Sequence, residues 1–114
     1  MKRVAVVFSR GPWRGVDAQA GIDAALALLA FEHDLQAGFI GAGVDMLAAS
    51  VVDDERAQRP RMIAALAHHG ASRMLASSAC LAARGITPAE GLVESVDAAT
   101  FADWLAEADH VLSF

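Results

Sequence analysis

Apolar residues fall in short continuous runs separated by longer stretches of helical period. Arg3 to Ser9 (RVAVVFS) is β-branched and almost unbroken in its apolar character, the mark of a strand buried on both faces. Ser9 to Gly15 holds two glycines and a proline and reads as a loop. From about Asp17 to Phe31, Ile22, Leu26 and Leu29 recur at helical spacing with Ala25 and Leu28 beside them. That apolar face is wider than one sheet contact needs. Leu35 to Ile40 predicts a second strand. Gly41 and Gly43 then lead into a short helix near Val44 to Ala49. Val51 to Pro60 is the most polar stretch and reads as a solvated loop, followed by a helix from about Arg61 to His69 closed by Gly70. Arg73 to Ala76 predicts a third strand, and Ser77-Ser78 cap a helix from about Ala79 to Arg84 that ends at Gly85. Leu92 to Glu94 predicts a fourth strand. Asp97 caps a helix through Ala108 with Phe101, Trp104 and Leu105 on one side, and His110 to Phe114 is the last strand. Strand and helix alternate throughout, which predicts right-handed crossovers and a five-stranded parallel sheet with helices on both faces. No repeat, low-complexity segment or linker divides residues 1–114, so a single domain is expected.

Composition narrows the function classes. A chain of 114 residues that is 55% hydrophobic, with mean hydropathy +0.38, is neither disordered nor fibrous. A net charge of −5 and a pI near 5.1 argue against nucleic acid held by bulk charge. The one cysteine, Cys80, excludes an intramolecular disulfide and an all-cysteine metal site. The apolar run after Lys2-Arg3 stops too early for a secretory leader, and the longest uncharged apolar stretch, Ala24 to Phe31, is too short to span a bilayer. A cytoplasmic protein without a membrane segment is the expectation. So apolar a small chain is expected to bury part of its surface against other subunits.

In order along the chain, Lys2-Arg3-Val4-Ala5-Val6-Val7-Phe8-Ser9, Gly21-Ile22-Asp23-Ala24, Phe39-Ile40 with Gly43-Val44 and Leu47, Leu81 with Arg84-Gly85-Ile86, and the closing Ala108 to Phe114 resemble the DsrE/DsrF/DsrH superfamily, and within it the TusC/DsrF branch. The resemblance implies a three-layer α/β/α fold. It also implies membership of a hetero-oligomer of three homologous subunits, a dimer of heterotrimers that relays persulfide sulfur. The sulfur goes either to 2-thiouridine at the wobble position of transfer RNAs or into dissimilatory sulfur oxidation. The implied partners are TusD/DsrE-like and TusB/DsrH-like subunits and small sulfur-carrier proteins. The carrier cysteine of the family lies at the end of the third strand, seven positions before the arginine of the Arg-Gly pair, chiefly in the TusD/DsrE-like subunit. Here that position is Ser77, and Cys80 follows three residues later. The chain therefore resembles the structural partner rather than the carrier.

The residues themselves leave alternatives open. Cys80 is the one possible sulfur nucleophile, in the first turn of a helix where partial positive charge favours thiolate. It also sits among Ala79, Leu81, Ala82 and Ala83, where a cysteine that merely packs is expected. A stand-alone homo-oligomeric sulfurtransferase using Cys80 is the alternative to the structural subunit. Arg10 and Arg14 flank Trp13 in a loop at the carboxyl end of the first strand. They suit an interface anchored by Trp13, or an anion site, although no nucleotide-binding glycine pattern is present. On the first helix, Ala25, Leu28 and Phe31 form the face expected to stay wet in a monomer. His68-His69 and His33 read as helix C-terminal groups, His110 as a strand-edge residue, and Asp53-Asp54-Glu55 as a solvated run. No cofactor or metal is expected.

Overall fold

The computed structural model describes residues 2–10, 17–48 and 63–114. In chain order these form β1 (Arg3–Phe8), α1 (Asp17–Ala30), β2 (Asp34–Phe39), a 3₁₀ segment (Gly41–Leu47), a helix α2 (63–68), β3 (Arg73–Ser77), α3 (Ser78–Arg84), β4 (Glu94–Val96), α4 (Ala98–Glu107) and β5 (His110–Ser113). The five strands make one parallel sheet in the order β4-β3-β2-β1-β5. The fold is the expected three-layer α/β/α arrangement. The chain steps outward from β1 to β4 and then returns across the sheet to place β5 beside β1. Right-handed crossovers in the two directions put helices on opposite faces.

Alternation along β1 divides the core accordingly. Val4, Val6 and Phe8 face Ile22 and Ala25 of α1, Ile63 and Leu66 of α2 and Leu81 of α3. Ala5 and Val7 face Phe101 and Trp104 of α4, together with Leu75 and Val96. The rings of Phe8 and Phe39 stack at 5.1 Å, which joins β1 to β2 at their carboxyl ends. On the α4 face Gln36, the one large polar group buried among the described residues, accepts a 2.6 Å hydrogen bond from Trp104 Nε1 and donates to Ser72 Oγ.

Three local expectations shift. β2 begins at Asp34, one residue early, because its N–H joins the ladder to Lys2 and its carboxylate takes hydrogen bonds from Arg3 and Ser72. The helix expected near Val44 to Ala49 is a 3₁₀ segment starting at Gly41, and it buries Gly43, Val44, Met46 and Leu47. The fourth strand is Glu94–Val96 rather than Leu92 to Glu94. Leu92 and Val93 pack on the core as connecting chain, while Glu94 pairs with Arg73 of β3 and Val96 turns inward to α4.

Caps end the helices as anticipated. Gly85 closes α3 at φ 64°, a left-handed conformation that glycine adopts without a Cβ penalty. Asp97 accepts the Thr100 N–H at 2.8 Å, and that backbone hydrogen bond holds its carboxyl below the usual aspartate range. A depressed folded-state pKa stabilises above the unfolded value of about 3.9 and is lost as pH falls through the folded one. Asp97→Asn is therefore expected to be less stable than wild type at pH 7 in urea unfolding. The difference should shrink as pH falls below about 3.9 and close only once pH has passed the depressed folded-state value, where both side chains are neutral.

Candidate functional site

The carboxyl ends of parallel strands, where open α/β sheets bind ligands, carry most of the candidate chemistry. β3 ends at Ser77, whose extended backbone lets its hydroxyl accept the Cys80 N–H at 3.3 Å and so cap α3. Ser77 is buried, and this bond occupies its side chain. Cys80 follows in the first turn of α3, half-buried against the core beside Leu81.

The segment after β2 approaches the same sulfur. The Gly41 N–H donates to Cys80 Sγ at 3.2 Å, which aims a backbone dipole at the thiol. Arg84, one turn further along α3, donates from Nε and one terminal nitrogen to both oxygens of Asp45, at 2.8 and 2.6 Å. This two-pronged pair clamps α3 to the 3₁₀ segment, and donating to the Asp45 carboxylate holds the Arg84 guanidinium more firmly protonated. The Gly41 N–H is thus held at the sulfur by the packing of the 3₁₀ segment against α3.

A second feature lies at the junction of β1 and β5, where strand order reverses. Ser9, Arg10, Ser113 and Phe114 line a shallow crevice of about 200 Å³. Ser9 donates to the Phe114 carbonyl from both its N–H and its hydroxyl, at 2.8 and 3.0 Å, so the two strand ends are tied together.

A family model described as the DsrE/DsrF-like family matches residues 2–114. The chain belongs to the DsrE/DsrF-like family. Membership in this DsrE/DsrF-like family points to a sulfur-relay-related function. Among solved structures the chain is similar to the ychN protein of E. coli, with a TM-score of 0.80 and 22% identity over 100% of both chains. It is also similar to BT1422, a conserved protein of unknown function from Bacteroides thetaiotaomicron. There the TM-score is 0.71 and identity 13%, covering 97% of this chain and 94% of that one. At these identities the likeness concerns the fold.

Within this DsrE/DsrF-like domain the expected site residues separate. Ser77 and Cys80 lie together at the carboxyl edge. Arg10 lines the β1–β5 crevice, whereas Trp13 and Arg14 lie outside the described residues, as does Asp53-Asp54-Glu55. On α1 one expectation is corrected. Ala25 is not wet: it is fully buried one turn from Ile22, on the stripe that packs on the sheet. Leu28 is half-buried, and Phe31 is 79% exposed. His68 and His69 stand at the end of α2, and among the described residues no three of His, Cys, Asp and Glu gather as a metal site. Among the same residues no helix is long and apolar enough to cross a membrane. The Gly41 N–H and Asp45 went unread in the sequence. A backbone donor has no side-chain signature, and Asp45 is 39 positions from Arg84.

Proposed function

We propose that this DsrE/DsrF-like chain is a TusC/DsrF-like subunit of a hetero-oligomeric, cytoplasmic sulfur-relay complex, and that it acts mainly as the structural partner of a cysteine-bearing sister subunit. The observation that carries this reading is Ser77. The family's carrier position holds a hydroxyl that is buried and consumed in capping α3, and an alcohol oxygen cannot carry sulfane sulfur. The exposed Phe31 and the exposed strand β5 add apolar surface suited to sister chains. The relay would end in wobble 2-thiouridine of transfer RNA or in sulfur oxidation. Co-expression with TusD/DsrE-like and TusB/DsrH-like subunits, followed by native mass spectrometry, is expected to show one assembly containing all three. A chain that ignores both partners overturns the reading.

One observation favours a second reading, the Gly41 N–H held 3.2 Å from the Cys80 sulfur. In that reading the Cys80 thiolate attacks the terminal sulfur of a donor persulfide. The donor's S–S bond breaks, its thiolate leaves, and Cys80 becomes a persulfide. Intact mass after treatment with a persulfide donor should then show one added sulfur in wild type and none in Cys80→Ser. Unchanged mass in wild type eliminates this role and leaves the structural one.

A further inference from the structure

The sheet is covered unevenly at β5. In the parallel register Val4 pairs with His110 and Val6 with Leu112, so His110 and Leu112 project to the face that carries α1. But α1 lies on β1 and β2, and β5 is exposed along all four of its residues. A groove of about 360 Å³ results, with Val4 and Leu112 in its floor and Leu28 of α1 as its wall. Leu112 remains 39% exposed and Val111, at the rim, 48%.

Among the described residues the titratable groups lining this groove are Lys2, His33 and His110, with no acid among them. Of the acids nearest them in sequence, Asp34 and Glu107 meet the Arg3 guanidinium and Asp109 accepts the Arg3 backbone N–H, whereas Glu32 adjoins His33 beside Phe31. The groove therefore offers an apolar floor beneath the Lys2 ammonium, with His33 and His110 beside it, in a chain whose net charge is −5. A matching knob stands at the same end of the fold. Phe31 leaves the end of α1 with 79% of its surface exposed, and Glu32 follows it in a left-handed conformation, φ 63°, that turns the chain back toward β2. Knob and groove belong to one surface, separated by a single turn of chain at His33, so one two-fold axis can satisfy both reciprocally.

We propose that two copies of this chain dock through this surface, Phe31 of each filling the α1–β5 groove of the other while Glu32 meets the Lys2 ammonium, with His33 and His110 beside it. The inference rests on the reading of the chain as an oligomer subunit and adds a contact between like chains. Sedimentation of the purified full chain over a concentration series tests it. A reversible dimer is expected. Phe31→Ser, at a site exposed enough to leave the fold intact, should weaken association roughly tenfold or more, with an unchanged circular dichroism spectrum. Glu32→Lys and Lys2→Glu should each weaken it, and the two together should restore it. A wild-type chain that stays monomeric at every soluble concentration, or a dimer indifferent to Phe31→Ser and to the charge swap, overturns the proposal. A monomer that still assembles with the sister subunits refutes this contact alone and leaves the subunit reading standing. A dimer that assembles with neither sister does the reverse.

Discussion

Gly43→Ala is expected to be among the most damaging single-methyl changes in the chain. Gly43 sits in the 3₁₀ segment after β2, where its Cα presses on the end of β1. A Cβ built there meets the Phe8 carbonyl oxygen at 1.8 Å and its carbon at 2.4 Å. Both are backbone atoms, and that oxygen already accepts the Ile40 N–H at 3.1 Å, so it cannot swing aside without breaking the β1–β2 junction. The overlap can be relieved only by lifting the whole segment, which carries Val44, Met46 and Leu47 into the core. A loss of about 3–5 kcal/mol is expected. That is a large part of the 5–15 kcal/mol typical of a domain, and should read as a fall in Tm of roughly 15 °C. Thermal and urea unfolding measure it. A midpoint near wild type would mean that the segment backs away from β1 at no cost. The same variant reaches the candidate site, because Gly41 and Asp45 ride on this segment. Any surviving folded protein should show altered alkylation kinetics at Cys80.

The parts of this fold that were legible in the sequence are those where one residue type has one physical use. β1 is buried on both faces and so needs an unbroken apolar run, which Val4 to Phe8 supplies. α3 and α4 announce themselves through Ser77, Gly85 and Asp97, whose side chains or backbone do the capping. Alanine is ambiguous, since it tolerates burial and exposure alike. By pattern Ala25 belongs to the wet face of α1, yet it fills the gap between helix and sheet beside Ile22. Leu92 and Val93 mimic strand residues because their burial is real, but it comes from a connection packed on the core and not from a ladder. The exposed edge of β5 was hidden for the opposite reason. His110 to Ser113 has the pattern of a strand, and only strand order shows that it lies outermost. The candidate site was half legible: Ser77 and Cys80 are close in sequence, whereas the Gly41 N–H and the Asp45–Arg84 clamp depend on tertiary approach.

Trp104→Ala should rival Gly43→Ala in cost, by removal of volume instead of overlap. Trp104 is 1% exposed and forms the centre of the α4 face of the core, edge-on to Phe101 at 5.3 Å. Space for its ring is provided directly beneath it by Gly38 of β2, on the same face of the sheet, where a Cβ would come within 2.5 Å of the indole. With alanine in its place, that room becomes a cavity bounded by β-strands whose positions are set by the opposite layer, so little collapse can fill it. A destabilisation of about 3–5 kcal/mol is expected for such a truncation. Part of it comes from Gln36, whose Oε1 loses the indole N–H in a buried setting. Trp104→Phe separates the two contributions. It keeps most of the apolar filling but leaves the Gln36 oxygen without its donor, for an expected cost of about 1–3 kcal/mol. Adding Gln36→Leu to Trp104→Phe should recover some of that loss, because an apolar side chain needs no partner there. Urea unfolding followed by circular dichroism ranks the three. If Trp104→Phe is as damaging as Trp104→Ala, the hydrogen bond rather than the packed ring holds α4 to the sheet. If it is silent, Gln36 has found another donor and the network around Ser72 is looser than its geometry implies.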